Sequence, residues 1–163
     1  MDTLAHGLYG AAIFVPTKNE RWMVAGGFLG MLPDLITQGA IVVKLGVGSG
    51  LTTLGGQGVG FPPELIHLYY FTHSLFPILV VGVAIFLWRR KYAVLVLPYM
   101  LHVFFDIFTH CGLFGTRIFY PFSNLNFCGV NYADSLWFWE INYGVLVGLY
   151  YLLYTKYFKP HLT

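Results

Sequence analysis

The fold class that this sequence predicts is an all-α bundle of membrane-embedded helices, and three observations carry that expectation. Hydrophobic residues make up 57% of the 163-residue chain and aromatic residues 19%, against only 10% charged residues. A soluble domain carries about 25% charge, so the implied solvent is largely lipid. The mean hydropathy of +0.66 agrees. Apolar runs too long for strands follow one another, and the few ionisable residues inside them recur at helical spacing. The expectation is a polytopic membrane helix bundle of about five helical segments, with residues 1–163 forming one integral membrane domain. A formal charge of +2, spread in small clusters, excludes a nucleic-acid surface.

Residues 3 to 15 form the first apolar segment, closed by Pro16 and the polar turn TKNER. It is too short to cross a bilayer upright, which takes about 20 residues, so it reads as a partial or tucked helix. Asp2 stands where a cleavable signal would need positive charge, and the segment reads as retained. Residues 22 to 47 are long enough to span but contain Pro33-Asp34, where proline removes a backbone hydrogen bond and kinks the helix. Gly46 to Pro63 is glycine-rich and without charge except at its flanks, and reads as a loop or re-entrant segment that could move over a site. Residues 65 to 88 read as the next span, with Tyr69, Tyr70 and Trp88 near its ends as interfacial aromatics. Residues 92 to 110 are a further span, residues 111 to 136 a mixed loop, and residues 137 to 155 the last span. Cys111 and Cys128 are too far apart for a CxxC motif and read as unrelated small apolar residues, with pairing open only if their loop faces an oxidising compartment.

Cationic clusters fall at residues 18 to 21, at Arg89, Arg90 and Lys91, and at Lys156 and Lys159. The positive-inside rule assigns all three to the cytoplasm. His6, His73, His102, Asp106 and His110 then fall in the outer half, and Asp34 reaches the same level from the proline turn.

The chemistry centres on YMLHVFFDIFTHCG, where His102, Asp106 and His110 recur every fourth residue. Positions four apart drift by only about 40° around a helix, so the three share a face. Burying them in hydrocarbon is costly unless they are paired, hydrogen-bonded or coordinated. His102-x3-Asp106 suits two ligands on one divalent ion, and a nitrogen-and-oxygen donor set fits zinc, manganese or iron. A buried hydrogen-bonded His-Asp pair that pins two helices would account for the same residues. Asp34, His6 and His73 add one carboxylate and two imidazoles from other segments, and Lys44 and Arg117 are the nearby cations available to neutralise the carboxylates without a metal.

The order MDTLAH, then Leu32-Pro33-Asp34, then Thr72-His73-Ser74-Leu75, then His102-x3-Asp106-x2-Thr109-x2-Gly112 and Tyr120-Pro121-Phe122-Ser123 resembles the YdjM-like family of membrane-bound metal-dependent hydrolases. That family is similar to the zinc-dependent phospholipase C and nuclease superfamily. The resemblance spans nearly the whole chain, each motif being short but their order jointly specific. It implies a divalent metal, zinc first, on His6, Asp34, His73, His102 and Asp106, and hydrolysis of a phosphoester. Ala5 stands where the family often has Thr, and Leu68-Tyr69 stand where many members have His-Arg, which leaves Arg117 as the candidate for substrate phosphate.

The resulting expectation is a hydrolase in a prokaryotic cytoplasmic membrane. Asp34 serves as general base, Thr72, Thr109 and His110 support the ligands, the bilayer is the partner, and a lipid or lipid-linked phosphate is the substrate class. The alternative is a metal-binding protein or small transporter whose His and Asp line a pathway. Transport needs polar residues through the inner half, whereas VVGVAIFLW and VLVLP are apolar.

Overall fold

In the computed structural model, which describes residues 1–54 and 60–159, the first helix opens on Asp2. Its carboxylate accepts the Ala5 N–H at 2.9 Å and caps α1 (Thr3–Ala12). A 3-10 turn at Val15–Thr17, with Pro16 in it, leads through Lys18 in the left-handed region to Asn19, which caps α2 (Glu20–Leu45). The two helices cross on glycine. A Cβ on Gly30 would stand 2.5 Å from the His6 carbonyl oxygen, and one on Gly10 would stand 2.4 Å from that of Gly26. Only backbones without side chains can approach so closely. The first segment is therefore tucked against the others, as its length predicts.

Pro33 lies inside α2 without ending it, and the Thr37 hydroxyl donates to the Pro33 carbonyl at 3.2 Å. Of the two expectations for the glycine-rich stretch, a loop or a re-entrant segment, the loop does not hold over Val47–Leu54, which is helix α3 and folds back on α2. The reversal uses Gly46, at φ 76°, and Gly50, where a Cβ would stand 2.8 Å from the Val42 Cα. Residues 55–59 of that stretch lie outside the described residues, so the expectation of movement over a site is not addressed there.

The expected single span over residues 65 to 88 is two helices, α4 (Ile66–Thr72) and α5 (Leu75–Arg89). The break has a local cause. The Ser74 hydroxyl donates to the Phe71 carbonyl and the His73 ring nitrogen lies against the Tyr69 carbonyl, so side chains compete for the carbonyls of the last turn. The Leu75 N–H turns away to Ile118 O at 2.9 Å. Pro77 falls in the first turn of α5, where a missing N–H costs no helical bond.

Among the described residues two stretches are long and apolar enough to cross a membrane, Glu20–Leu45 and the 35-residue Leu75–Thr109. The second is a hairpin rather than a rod. Arg89 is extended, and a Cβ on Gly82 would meet Val96 at 3.4 Å. In one straight helix those residues would be about 21 Å apart. The returning limb starts as a 3-10 turn (Arg90–Val96) and continues as α6 (Leu97–Thr109), so the fourth apolar segment is not a uniform α-helix. The last helix, α7 (Leu136–Tyr157), carries Glu140 and Asn142 and is less apolar.

Helix α7 runs parallel to α1, with Tyr143 donating to Asp2 and Tyr150 to the Leu8 carbonyl. Its lysine end therefore meets the Val15–Thr17 turn. Trp22 stacks on Tyr92 at 6.1 Å, which brings the Lys18–Arg21 and Arg89–Lys91 clusters together. The cations thus gather at one end of the bundle. At the other end Cys111 and Cys128 form a disulfide, a pairing that the two isolated cysteines do not announce in sequence. The loop between them is pinned by an antiparallel bridge between Thr116 and Phe127.

Candidate metal centre

Four helices deliver the polar groups to one buried point. His6 comes from the middle of α1, Asp34 from the turn after Pro33 in α2, His73 from the residue that ends α4, and His102 and Asp106 from successive turns of α6. His6, His73, His102 and Asp106 are each at most 2% exposed. The structure thus brings together all five residues that the sequence singles out.

The ring orientations decide what the cluster can do. His102 Nδ1 lies 2.7 Å from the Gly30 carbonyl oxygen, which can only accept, so that nitrogen carries a proton. The Nε2 lone pair then faces Asp106 Oδ2 at 3.1 Å and Asp34 Oδ1 at 3.8 Å. His73 repeats the pattern. Its Nδ1 faces the Tyr69 carbonyl at 2.9 Å, and its Nε2 faces Asp34 Oδ1 at 3.2 Å and Asp106 Oδ2 at 3.7 Å. Two imidazole nitrogens and two carboxylate oxygens, the same four atoms each time, converge with electron pairs inward. Unless both rings are protonated, these acceptors repel.

His102 Nε2 and Asp106 Oδ2 are buried without a hydrogen-bond partner, as is His6 Nδ1. Orphaned acceptors of this kind are expensive in an apolar interior and call for a cation. Around a tetrahedral ion with bonds of about 2.0–2.1 Å the ligand atoms stand roughly 3.3–3.4 Å apart. The four His–Asp separations, from 3.1 to 3.8 Å, bracket that figure, and the ligand atoms of Asp34, His73 and His102 all lie within 4.8 Å of one another, as do those of His6, His102 and Asp106. The residues present therefore fit a divalent ion.

Asp106 is two-sided. Its Oδ1 meets His6 Nε2 at 2.9 Å, His110 Nδ1 at 3.0 Å, the Met1 amine at 2.7 Å and the Thr109 hydroxyl at 3.3 Å. His6 also stacks on His102, with ring centroids 3.6 Å apart. Thus Thr109 and His110 both touch Asp106, although His110 is extended and already outside α6. The Thr72 hydroxyl lies 3.0 Å from His73 Nδ1 and 3.2 Å from that of Thr37.

Arg117 does not enter the cluster. Its guanidinium lies 3.8 Å over the Tyr70 ring and donates to Asn124. Tyr70 is nevertheless beside Tyr69, whose ring stacks on His73 at 4.0 Å. Tyr132, from the loop before α7, sits with its ring 5.0 Å from His110. Burial pushes its hydroxyl up to about 12, helped by the Asp34, Asp106 and Asp2 carboxylates.

Sequence reasoning missed Thr3, Gln38, Gly30 and Tyr69. The Thr3 hydroxyl donates to Asp34 Oδ2 and the Gln38 amide to Thr3 Oγ1, both at 2.8 Å. Gln38 carried a usable signal, being one helical turn from Asp34 in an apolar run, as Asp106 is from His102. Gly30 acts through its backbone, and no side-chain pattern reveals that.

A family model described as YdjM inner membrane protein matches residues 1–161 of the chain. No curated protein and no solved structure matches it significantly.

Proposed function

The chain belongs to the YdjM inner membrane protein family, and from that premise we propose that it is a membrane-embedded, metal-dependent hydrolase acting on a phosphoester of a phospholipid or lipid-linked phosphate. The observation that carries this reading is the meeting of His73 Nε2, His102 Nε2, Asp34 Oδ1 and Asp106 Oδ2 with their acceptor orbitals inward. Nitrogen and oxygen donors in two closely spaced sets of three that share His102 suit zinc. A divalent ion held there supplies a Lewis acid for a phosphoryl oxygen and a lowered pKa for water.

The residues of the chain divide the remaining work. Asp34 is the general base, and its exposure supports the role: its side chain is 14% exposed, whereas those of Asp106, His73 and His102 are at most 1%. Solvent and substrate therefore meet this carboxylate first. The Gly30 and Tyr69 carbonyls fix the His102 and His73 tautomers, so both rings offer Nε2 without rearrangement. Thr109 and His110 hold Asp106. Arg117, held over the Tyr70 ring outside the cluster, is the residue that binds a substrate phosphate oxygen.

The site faces the outer side of the inner membrane in this reading. Two independent features support that orientation: the cationic clusters gather at the opposite end, and the disulfide requires an oxidising compartment. The test is metal analysis of detergent-purified wild type, Asp34→Ala and Asp106→Ala, with phosphoester hydrolysis assayed on the same samples. Stoichiometric metal and turnover in wild type alone are expected. A wild type without metal would overturn the reading, and metal without turnover of any phosphoester would move the function to binding or transport.

A further inference from the structure

We propose that Thr3 and Gln38 form a two-step hydrogen-bond relay that positions Asp34 as a ligand, an inference that rests on the metal-centre reading above and extends it to residues outside that set. Asp34 is the only member of the four-atom set whose carboxylate is not enclosed on every side, so something must hold its plane. Its Oδ2 accepts from the Thr3 hydroxyl at 2.8 Å, which leaves Oδ1 as the oxygen turned toward His73 and His102.

The direction of the Thr3 proton is set by Gln38. A hydroxyl has a single proton, and Thr3 Oγ1 already accepts from Gln38 Nε2 at 2.8 Å. Its proton is then committed to Asp34. Gln38 follows Asp34 by one turn of α2, so the amide and the carboxylate share a face and straddle the hydroxyl. Thr3 in turn precedes His6 by three residues on α1. One short helix thus presents an imidazole and the clamp for a carboxylate on neighbouring positions.

The hydroxyl is not needed for helix capping. Asp2 already caps α1 by accepting the Ala5 N–H. Nor is it a lone contact, since the relay crosses between α1 and α2 where Gly30 and His6 hold the backbones together. Groups that orient metal-binding side chains typically change metal affinity 10–100-fold when removed. Thr3 and Gln38 are accordingly positioning residues that touch Asp34 rather than substrate.

The experiment compares full-length, detergent-purified wild type with Thr3→Val, Thr3→Ser and Gln38→Met. Zn²⁺ affinity is measured by competition with a chromophoric chelator, and the visible absorption of the Co²⁺-loaded protein reports the ligand field. Thr3→Val keeps the shape without the hydroxyl and should bind Zn²⁺ about 10–100-fold more weakly, with an altered Co²⁺ spectrum. Thr3→Ser should restore both, and Gln38→Met should shift both in the direction of Thr3→Val. If Thr3→Val fails to fold, Gln38→Met, at a half-buried site, carries the test. Wild-type affinity and spectrum in Thr3→Val or, failing that variant, in Gln38→Met would overturn the relay. A wild type that binds neither ion would instead overturn the metal centre itself, and the relay's role with it.

Discussion

His102 and Asp106, one helical turn apart on α6, face each other as two acceptors: Nε2 and Oδ2 are 3.1 Å apart, both buried and neither hydrogen-bonded. The Gly30 carbonyl enforces this by taking the proton of the other ring nitrogen. Asp106→Asn keeps the shape but removes the charge and one acceptor. Loss of a first contact to the ion should lower bound metal at least as much as loss of a supporting group, about 10–100-fold in affinity. Elemental analysis after gel filtration checks it, and full metal occupancy in Asp106→Asn would refute the ligand assignment.

The same pair makes stability depend on the ion. A ligand that binds only the folded chain adds about 4 kcal/mol when present at 1,000 times its Kd. Removing the ion with a chelator leaves Asp106 Oδ2 buried against the His102 and His73 lone pairs, since the Met1 amine meets only the Oδ1 side. Chelation should therefore lower the thermal midpoint in detergent by several degrees, and zinc should restore it. A melting curve indifferent to chelator and zinc would favour a structural His-Asp network.

The glycine crossing of α1 and α2 gives a prediction that involves no metal. A methyl group on Gly30 would stand 2.5 Å from the His6 carbonyl, which is backbone and cannot rotate away. Gly30→Ala should then cost about 1–3 kcal/mol or more, as overpacking does, and displace His6 from Asp106. Gly39, on the same helix, has nothing within 4 Å of such a methyl. Gly39→Ala should be neutral or stabilise by about 0.5–1 kcal/mol. Equal melting temperatures for the two variants would contradict the crossing.

What the sequence disclosed, and what it did not, follows from how far each signal reaches along the chain. His102, Asp106 and His110 were legible because helical spacing is local, and the short first segment was legible from its length. The break at His73-Ser74 was not, because the stretch reads as one apolar run and its interruption depends on side chains taking the Tyr69 and Phe71 carbonyls. Helix α3 was hidden by its glycines, which its packing against Val42 accommodates. The convergence of His6, Asp34 and His73 on α6 was legible as a shared level, from the charge bias and the cost of unpaired ionisable groups in apolar segments, and the resemblance added that they are ligands. Contacts such as His6 to Asp106 span 100 residues, and no periodicity encodes them.

The disulfide joins the chain leaving α6 to the loop that leads into α7, at the end where the site lies, and it offers a test of orientation. Cys111 directly follows His110, and the Gly129 N–H, next to Cys128, donates to the His110 carbonyl at 2.8 Å. The bond therefore secures both strands of chain that flank His110. Closing a loop of this size contributes about 3 kcal/mol in the chain-entropy account. The double variant Cys111→Ser, Cys128→Ser should lose about 2–4 kcal/mol of stability and bind metal more weakly through a loosened His110. In intact spheroplasts treated with a reductant, a membrane-impermeant maleimide should label both cysteines. Labelling only after the membrane is breached would reverse the orientation and set the site toward the cytoplasm, where a disulfide would not persist.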